Sequence, residues 1–241
     1  MILCLDAGNT RLKWGLREHA GWQAQGALAH ADIGKLAQLL PVQPKRIVAC
    51  NVAGTDVQAQ IERLAVALAV PLEWFCSSAS AGGVVNDYDQ PAQLGADRWA
   101  ALIGARGLHQ GAALVVMAGT ATTVDCLDAA GVFRGGLILP GLALMRHSLA
   151  RGTAGLPEAR GEYQMLPTNT DDAIVSGSLA ATIGAIHHMA DTCRPGNADF
   201  LCLLSGGAAA ALAPLLALPV QRIDNLVLEG LARLAAGQSH E

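Results

Sequence analysis

A strand, a glycine turn and a second strand occur twice in this chain, half its length apart. "LCLDAGNTRLKWGL" starts at Leu3 and "LVVMAGTATTVDCL" starts at Leu114. They align without a gap, Ala7-Gly8 over Ala118-Gly119, at an offset of 111 residues. In the first copy Ile2, Leu3, Cys4 and Leu5 are continuously apolar, while Leu12, Trp14 and Leu16 alternate with Arg11, Lys13 and Arg17, the period of a half-buried strand. Short apolar strands with glycine turns can match by chance. Read as a duplication, each copy leads a mixed α/β segment, which gives an N-terminal domain over 1–111 and a C-terminal domain over 112–241 facing each other across a cleft.

The rest of the chain alternates strand and helix, the pattern of an α/β layered fold. "ADIGKLAQLL" (31–40) reads as a helix, "RIVAC" (46–50) as a strand, "TDVQAQIERLAVALA" (55–69) as a helix opening on a Thr/Asp cap, and "LEWF" (72–75) as a strand. The stretch 76–99, rich in Ser, Gly, Asp and Pro, reads as an irregular loop running into the helix "DRWAALIGARGLH". A loop of that length inside a domain is a candidate for substrate contact. Beyond the second hairpin come "GVFRGGLILPG", a helix from about Leu142, a loop from Pro157 to Thr170 and a long helix from near Asp171. A strand in "FLCLLSGGAAAALAPLL", then "VQRI" and a last helix from about Asn225 close the order.

Composition removes several function classes. Hydrophobic residues make up 52% and charged residues 15%, which excludes a disordered chain. The formal net charge is -4 and no basic run is present, so nucleic acid is not an expected ligand. "ALVVMAGTATTV" and "GGLILPGLALM" are broken by Gly, Thr and Pro well short of a membrane span, and no basic n-region precedes an apolar stretch. The expectation is a cytoplasmic protein with no membrane partner. Cys4, Cys50, Cys76, Cys126, Cys193 and Cys202 form no Cys-x-x-Cys pair and read as reduced core residues. His187-His188 reads as solvated or packed, and Trp14, Trp74 and Trp99 as core.

Asp6 ends an apolar strand before Gly-Asn-Thr. As a turn residue it would cap nearby amides. A tight turn exposing backbone N–H groups, with a Thr hydroxyl, an Asn amide and a Lys nearby, is also a phosphate cradle, whose carboxylate can hold Mg²⁺ through water. The turn lacks Gly-Lys-Ser/Thr and does not run into a helix, so neither a P-loop nor a Rossmann fingerprint fits.

A β-hairpin phosphate site that recurs once, followed late by strand-Gly-Gly-helix in "LLSGGAAAAL", resembles the actin and sugar-kinase superfamily, with Gly206 and Gly207 in its adenosine motif. Within it, "DAGNTRLK" (6–13), "YDQPAQLGADR" (88–98), "AGTATTVD" (118–125), "FRGGLILPG" (133–141) and "NTDDAIVSG" (169–177) together resemble the type III pantothenate kinases over essentially the whole chain. The resemblance implies two ribonuclease H-like, actin-like ATPase domains with the nucleotide cleft between them. It implies ATP-dependent phosphorylation of pantothenate to 4'-phosphopantothenate, the first step of coenzyme A biosynthesis, by a homodimer whose pantothenate site lies against the subunit interface. Other readings are a different small-alcohol or sugar kinase of the superfamily, or a non-catalytic accessory factor of gene regulation.

Carried over residue by residue, the resemblance gives Asp97 as proton acceptor, with Tyr88, Gly95, Ala96, Asp97, Arg98 and Thr170 binding pantothenate. It gives Asp6, Ala7, Gly8, Asn9, Thr10, Arg11, Leu12, Lys13 and Thr120 as the ATP site, with Mg²⁺ near Asp6. Structural readings stand beside these: Asp97 as a helix cap, Tyr88 as a loop aromatic, Thr170 as an N-cap and Thr120 as a turn hydroxyl. Many members carry an aspartate before the second Gly-Thr, where it ligates a monovalent cation. Here that position is Met117, and a thioether does not ligate the hard cation K⁺, so a K⁺ or NH₄⁺ site is expected to be absent or rebuilt.

Overall fold

In the computed structural model, which describes residues 1–18, 21–194, 196 and 199–237, β1 (Ile2–Ala7) and β2 (Leu12–Glu18) pair antiparallel with Asp6 opposite Lys13. β3 (Gly21–Leu28) pairs with β2, although its glycines and glutamines carry little strand signal. Two indoles lying on glycines explain it. A Cβ at Gly15 would stand 2.5 Å from the Trp22 ring, and one at Gly26 would stand 2.9 Å from the Trp14 ring.

The segment expected as one helix over 31–40 is a 3-10 turn, His30–Lys35, followed by the four-residue α1 (Leu36–Leu39). Gly34 inside it and Pro41 after it leave too short a run for a longer helix. β4 (Arg46–Asn51) runs parallel to β1, and α2 (Thr55–Leu68) follows, capped by Gly54 at φ 92° and not by a Thr or Asp side chain. β5 (Leu72–Trp74) completes the order β3-β2-β1-β4-β5. The stretch after it is less irregular than its composition suggests. β6 (Ser80–Ala81) and β7 (Val84–Asn86) make a hairpin on Gly82 and Gly83, both at positive φ. A 3-10 turn at Pro91–Gln93 leads to α3 (Ala96–Leu108). Leu3, Leu5, Leu16, Ile47 and Ile61 are among the fully buried residues of this core.

The second unit is built on β8 (Ala112–Ala118), β9 (Ala121–Leu127), β10 (Val132–Pro140), α4 (Leu142–Gly152), α5 (Thr170–Cys193), β11 (Phe200–Ser205), α6 (Ala209–Leu212) and β12 (Val220–Arg222). Its strands run in the order β12-β11-β8-β9-β10. Among the described residues α5 alone is long and apolar enough to cross a membrane by length and composition, and half of that stretch is buried. Ile174, Leu179 and Ile186 of α5 pack in one core with Leu114, Val116 and Val124.

α7 (Leu226–Gly237) packs along α3, and glycines set the approach: a Cβ at Gly230 would fall on the Ala100 carbonyl, and one at Gly104 would stand 2.5 Å from the Leu226 carbonyl. One unit comprises Met1–Gln110 and Asn225–Glu241, the other Gly111–Asp224. The last helix therefore belongs with the N-terminal segment, whereas the duplicated hairpin alone assigns all of 112–241 to the second domain.

The cysteine expectation is corrected at three positions. Cys126 and Cys193 are joined in a disulfide between β9 and the end of α5, and Cys76 is exposed. Cys4, Cys50 and Cys202 are buried free thiols.

Candidate active site

The first hairpin places Asp6 at the end of β1 with little water around it, at 6% exposed. Lys13 Nζ lies 3.9 Å from Asp6 Oδ2, and on the other side the Cys50 thiol, register partner of Asp6 on β4, donates to Asp6 Oδ1 at 3.8 Å. Burial pushes Asp6 up to about 6, against the pull of Lys13 and with a further push from the charge of Asp97. The same burial, with the carboxylates of Asp6 and Asp97, pushes the Cys50 thiol well up, so it stays a protonated donor.

Ala7 and Leu12 flank the turn fully buried, so only their backbones can meet a phosphate. Asn9, Thr10 and Arg11 are exposed at the turn, beside half-buried Gly8. The Gly8 carbonyl accepts from His30 Nε2 at 2.9 Å, which fixes the turn from outside the strand pair. His30 has no motif around it and was missed from sequence.

A second group forms at the start of α3. Gly95 is the N-cap without a side-chain cap bond, Ala96 opens the helix, and Asp97 Oδ1 accepts the Arg98 N–H at 2.8 Å. Arg98 is buried, at 5% exposed; its Nη1 donates to the Tyr88 hydroxyl at 3.0 Å, and its guanidinium lies 5.8 Å from the centre of the Tyr88 ring. Tyr88 itself is held from below. Its N–H donates to Asn86 Oδ1 at 3.2 Å, while Asn86 Nδ2 donates to the carbonyls of Ser78 and Pro91, each at 3.2 Å. Ser77 Oγ closes the base of the loop on the Leu94 carbonyl at 2.7 Å. Asn86 was also missed, since its partners are backbone carbonyls that leave no mark in the sequence.

In the second unit Thr120 is exposed at the β8–β9 turn. Two glycines from distant segments close on that turn: Gly141 N–H donates to the Thr120 carbonyl at 2.9 Å, and a Cβ at Gly141 would fall on the Gly119 carbonyl. Gly206, at φ 103°, abuts Ala118, whose carbonyl accepts from Ala208 N–H at 3.1 Å. Only glycine fits either place. Thr170 is the first residue of α5, and Asn169 is the side-chain N-cap in its place. Met117 sits opposite Thr123 and Ser205 in its sheet.

Asp6, Lys13 and Cys50 thus form one cluster, and Asp97, Arg98 and Tyr88 another, within the same unit. Thr120 and Thr170 stand on separate elements of the other unit. A buried carboxylate beside a lysine at an exposed turn suits phosphate and a hydrated divalent cation. A carboxylate next to a buried, aromatic-backed arginine suits a polar acceptor carrying a negative charge.

Comparison with known proteins gives this geometry a family. A type III pantothenate kinase family model matches residues 2–192. The type III pantothenate kinase of Aromatoleum aromaticum is 53% identical over 239 residues, covering 98% of both chains. Among solved structures, a protein assigned to the Baf family of transcriptional activators from Campylobacter jejuni superposes with a TM-score of 0.65 at 19% identity, over 99% of this chain and 100% of its own. One assigned as a 2-dehydro-3-deoxygalactonokinase from Sinorhizobium meliloti gives 0.62 at 15% identity, over 100% of both. The structural likenesses show the fold alone, the actin-like α/β fold expected from the sequence. With a near full-length match at 53% identity, the chain belongs to the type III pantothenate kinase family.

Proposed function

We propose that this chain transfers the terminal phosphoryl group of ATP to the primary hydroxyl of pantothenate, giving 4'-phosphopantothenate, the first step towards coenzyme A. The observation that carries the reading is the pairing, inside one unit of a family member, of an under-neutralised carboxylate at a phosphate-type turn with a second carboxylate flanked by a buried arginine. Phosphoryl transfer to an alcohol is mostly positioning and charge neutralisation.

In this reading the backbone of 6–13, with the side chains of Asn9, Thr10, Arg11 and Lys13, holds the phosphates; Thr120, on the second hairpin, keeps the nucleotide-binding role that the family resemblance gives it. Mg²⁺ fits at Asp6, whose two oxygens are hard donors and whose charge Lys13, at 3.9 Å, only partly offsets. Held there through water, Mg²⁺ would neutralise charge developing on the phosphate oxygens. Asp97 accepts the hydroxyl proton as the oxygen attacks. Arg98 and Tyr88 orient the pantothenate carboxylate, with Gly95 and Ala96 beside them at the start of α3; Thr170, in the other unit, keeps the pantothenate-binding role that the family resemblance gives it. A K⁺ or NH₄⁺ ion does not fit at Met117, whose sulfur is a soft donor.

A homodimer accords with the apolar surface of the second unit: α4 has no buried residue, and Ile138, Leu144, Met165 and Leu166 are exposed. A membrane-free location accords with α5 being half buried in its core, and a cytoplasmic one with the metabolic role proposed above. ADP release coupled to pantothenate, followed for wild type and Asp97→Asn, tests the proposal. We expect pantothenate-dependent turnover in the wild type and a loss of about 10²-fold or more in the variant. Absence of turnover with pantothenate, with turnover on a sugar or another small alcohol, would overturn the substrate. A near-wild-type kcat in Asp97→Asn would overturn the base.

A further inference from the structure

We propose that Asn86 is a positioning residue for the alcohol-acceptor site, fixing Tyr88 and through it Arg98 in the arrangement that receives the acceptor; the inference rests on the pantothenate kinase reading above. Asn86 is 6% exposed and ends β7. Both hydrogens of its carboxamide nitrogen are spent on the loop's own backbone, at Ser78 eight residues before and Pro91 five residues after. Its oxygen accepts the Tyr88 N–H, and its backbone N–H donates to the Ala79 carbonyl at 2.9 Å. One side chain therefore ties together three points of the loop. Tyr88 then presents its hydroxyl to Arg98 Nη1 at 3.0 Å, and Arg98 directly follows Asp97.

The chemistry of the amide is what the geometry demands. Two backbone carbonyls face Nδ2 and one N–H faces Oδ1, so the residue must donate twice on one side and accept on the other. Aspartate has the same shape but would point an oxygen at two carbonyls. Alanine would leave both carbonyls and the Tyr88 N–H, all part-buried, without this partner. Either change loosens the backbone seat of Tyr88, whose hydroxyl accepts from Arg98, while leaving the first hairpin, with Asp6 and Lys13, untouched.

The test is steady-state kinetics on full-length Asn86→Ala and Asn86→Asp, with Tyr88→Phe and the Asn86→Ala/Tyr88→Phe pair completing a double-mutant cycle. We expect the KM for pantothenate to rise by about tenfold or more, with the KM for ATP within about twofold. Because both substitutions act through one contact, the double variant should lose clearly less than the product of the single losses. A folded Asn86→Ala with an unchanged KM for pantothenate, an equal rise in the KM for ATP, or strictly multiplicative losses would overturn the proposal. Hydrogen exchange over 78–91 provides a readout independent of turnover. Faster exchange in Asn86→Ala confined to that loop supports the positioning claim even if the wild type proves inactive on pantothenate, which would fault the substrate reading alone. Unchanged exchange sinks the claim itself.

Discussion

Asp6 Oδ2 and Lys13 Nζ face each other across the first hairpin at 3.9 Å, close enough to attract but too far for a hydrogen bond. The carboxylate remains short of partners, and burial holds it up to about 6 from 3.8. A folded-state value above the unfolded one means that the folded protein binds this proton more tightly. The contribution of Asp6 to stability is therefore full below about pH 4 and is lost as pH rises through about 6. At pH 8 the ionised group costs up to about 3 kcal/mol, at roughly 1.4 kcal/mol per pKa unit. Asp6→Asn should melt several degrees above wild type at pH 8, with the gap closing towards pH 4, while losing most of its activity. Thermal melts across that range check it; a variant less stable than wild type at pH 8 would refute the argument.

Gly230 and Ala100 meet where α7 crosses α3, backbone against backbone. In an exposed helix Gly→Ala gains about 1 kcal/mol. Here the new methyl would overlap the Ala100 carbonyl, and overpacking costs about 1–3 kcal/mol, so the sign reverses. Gly230→Ala should lower the urea midpoint, and because α3 carries Asp97 and Arg98 it should also raise the KM for pantothenate. A midpoint equal to or above wild type would show that the helices move apart at no cost.

The segment 160–164 is zipped to the first turns of α5. Arg160 N–H donates to Asp171 Oδ1 at 3.0 Å, Glu162 N–H to Asp172 Oδ1 at 2.7 Å, and Gln164 N–H to Ser176 Oγ at 2.9 Å. Asp172 also holds the N-cap, through Asn169 Nδ2 at 2.7 Å, and a Cβ at Gly161 would run into the helix backbone at Asp171 and Asp172. Asp172→Ala or Gly161→Ala should release this strap. Trypsin should then cut after Arg160 about tenfold faster, with little change in the global melting temperature. Unaltered cleavage would mean that the three bonds do not hold the segment.

Legibility in the sequence followed the kind of partner each residue uses. Asp6 and Lys13 could be paired because a turn at Gly8-Asn9 fixes the register of two apolar strands, and the echo at Ala118-Gly119 located the second turn. Asp97, Arg98 and Tyr88 were found through a motif. Asn86 and His30 were not, since each binds main-chain carbonyls that any sequence would supply. β3 escaped because its strand character comes from tryptophans seated on glycines of the neighbouring strand, a long-range fit with no local period. The disulfide escaped for a related reason: Cys126 and Cys193 stand 67 residues apart, and only the packing of α5 on β9 brings them together.

Met117 bears on the ion requirement. Its register neighbours are Thr123, whose buried Oγ1 has no hydrogen-bond partner among the described residues, and Ser205. Two hydroxyls and a thioether carry no negative charge to offset the dehydration of K⁺, and sulfur is the wrong donor for it. At matched ionic strength the wild-type rate should be the same in Na⁺, K⁺ and NH₄⁺ to within about twofold. Met117→Asp places a carboxylate on the same strand position and should convert the enzyme to one that is slow in Na⁺ and recovers in K⁺, because a half-buried charge then needs a cation. Activation of the wild type by roughly fivefold or more in K⁺ would show that the ion is held by other groups and would overturn the inference from Met117.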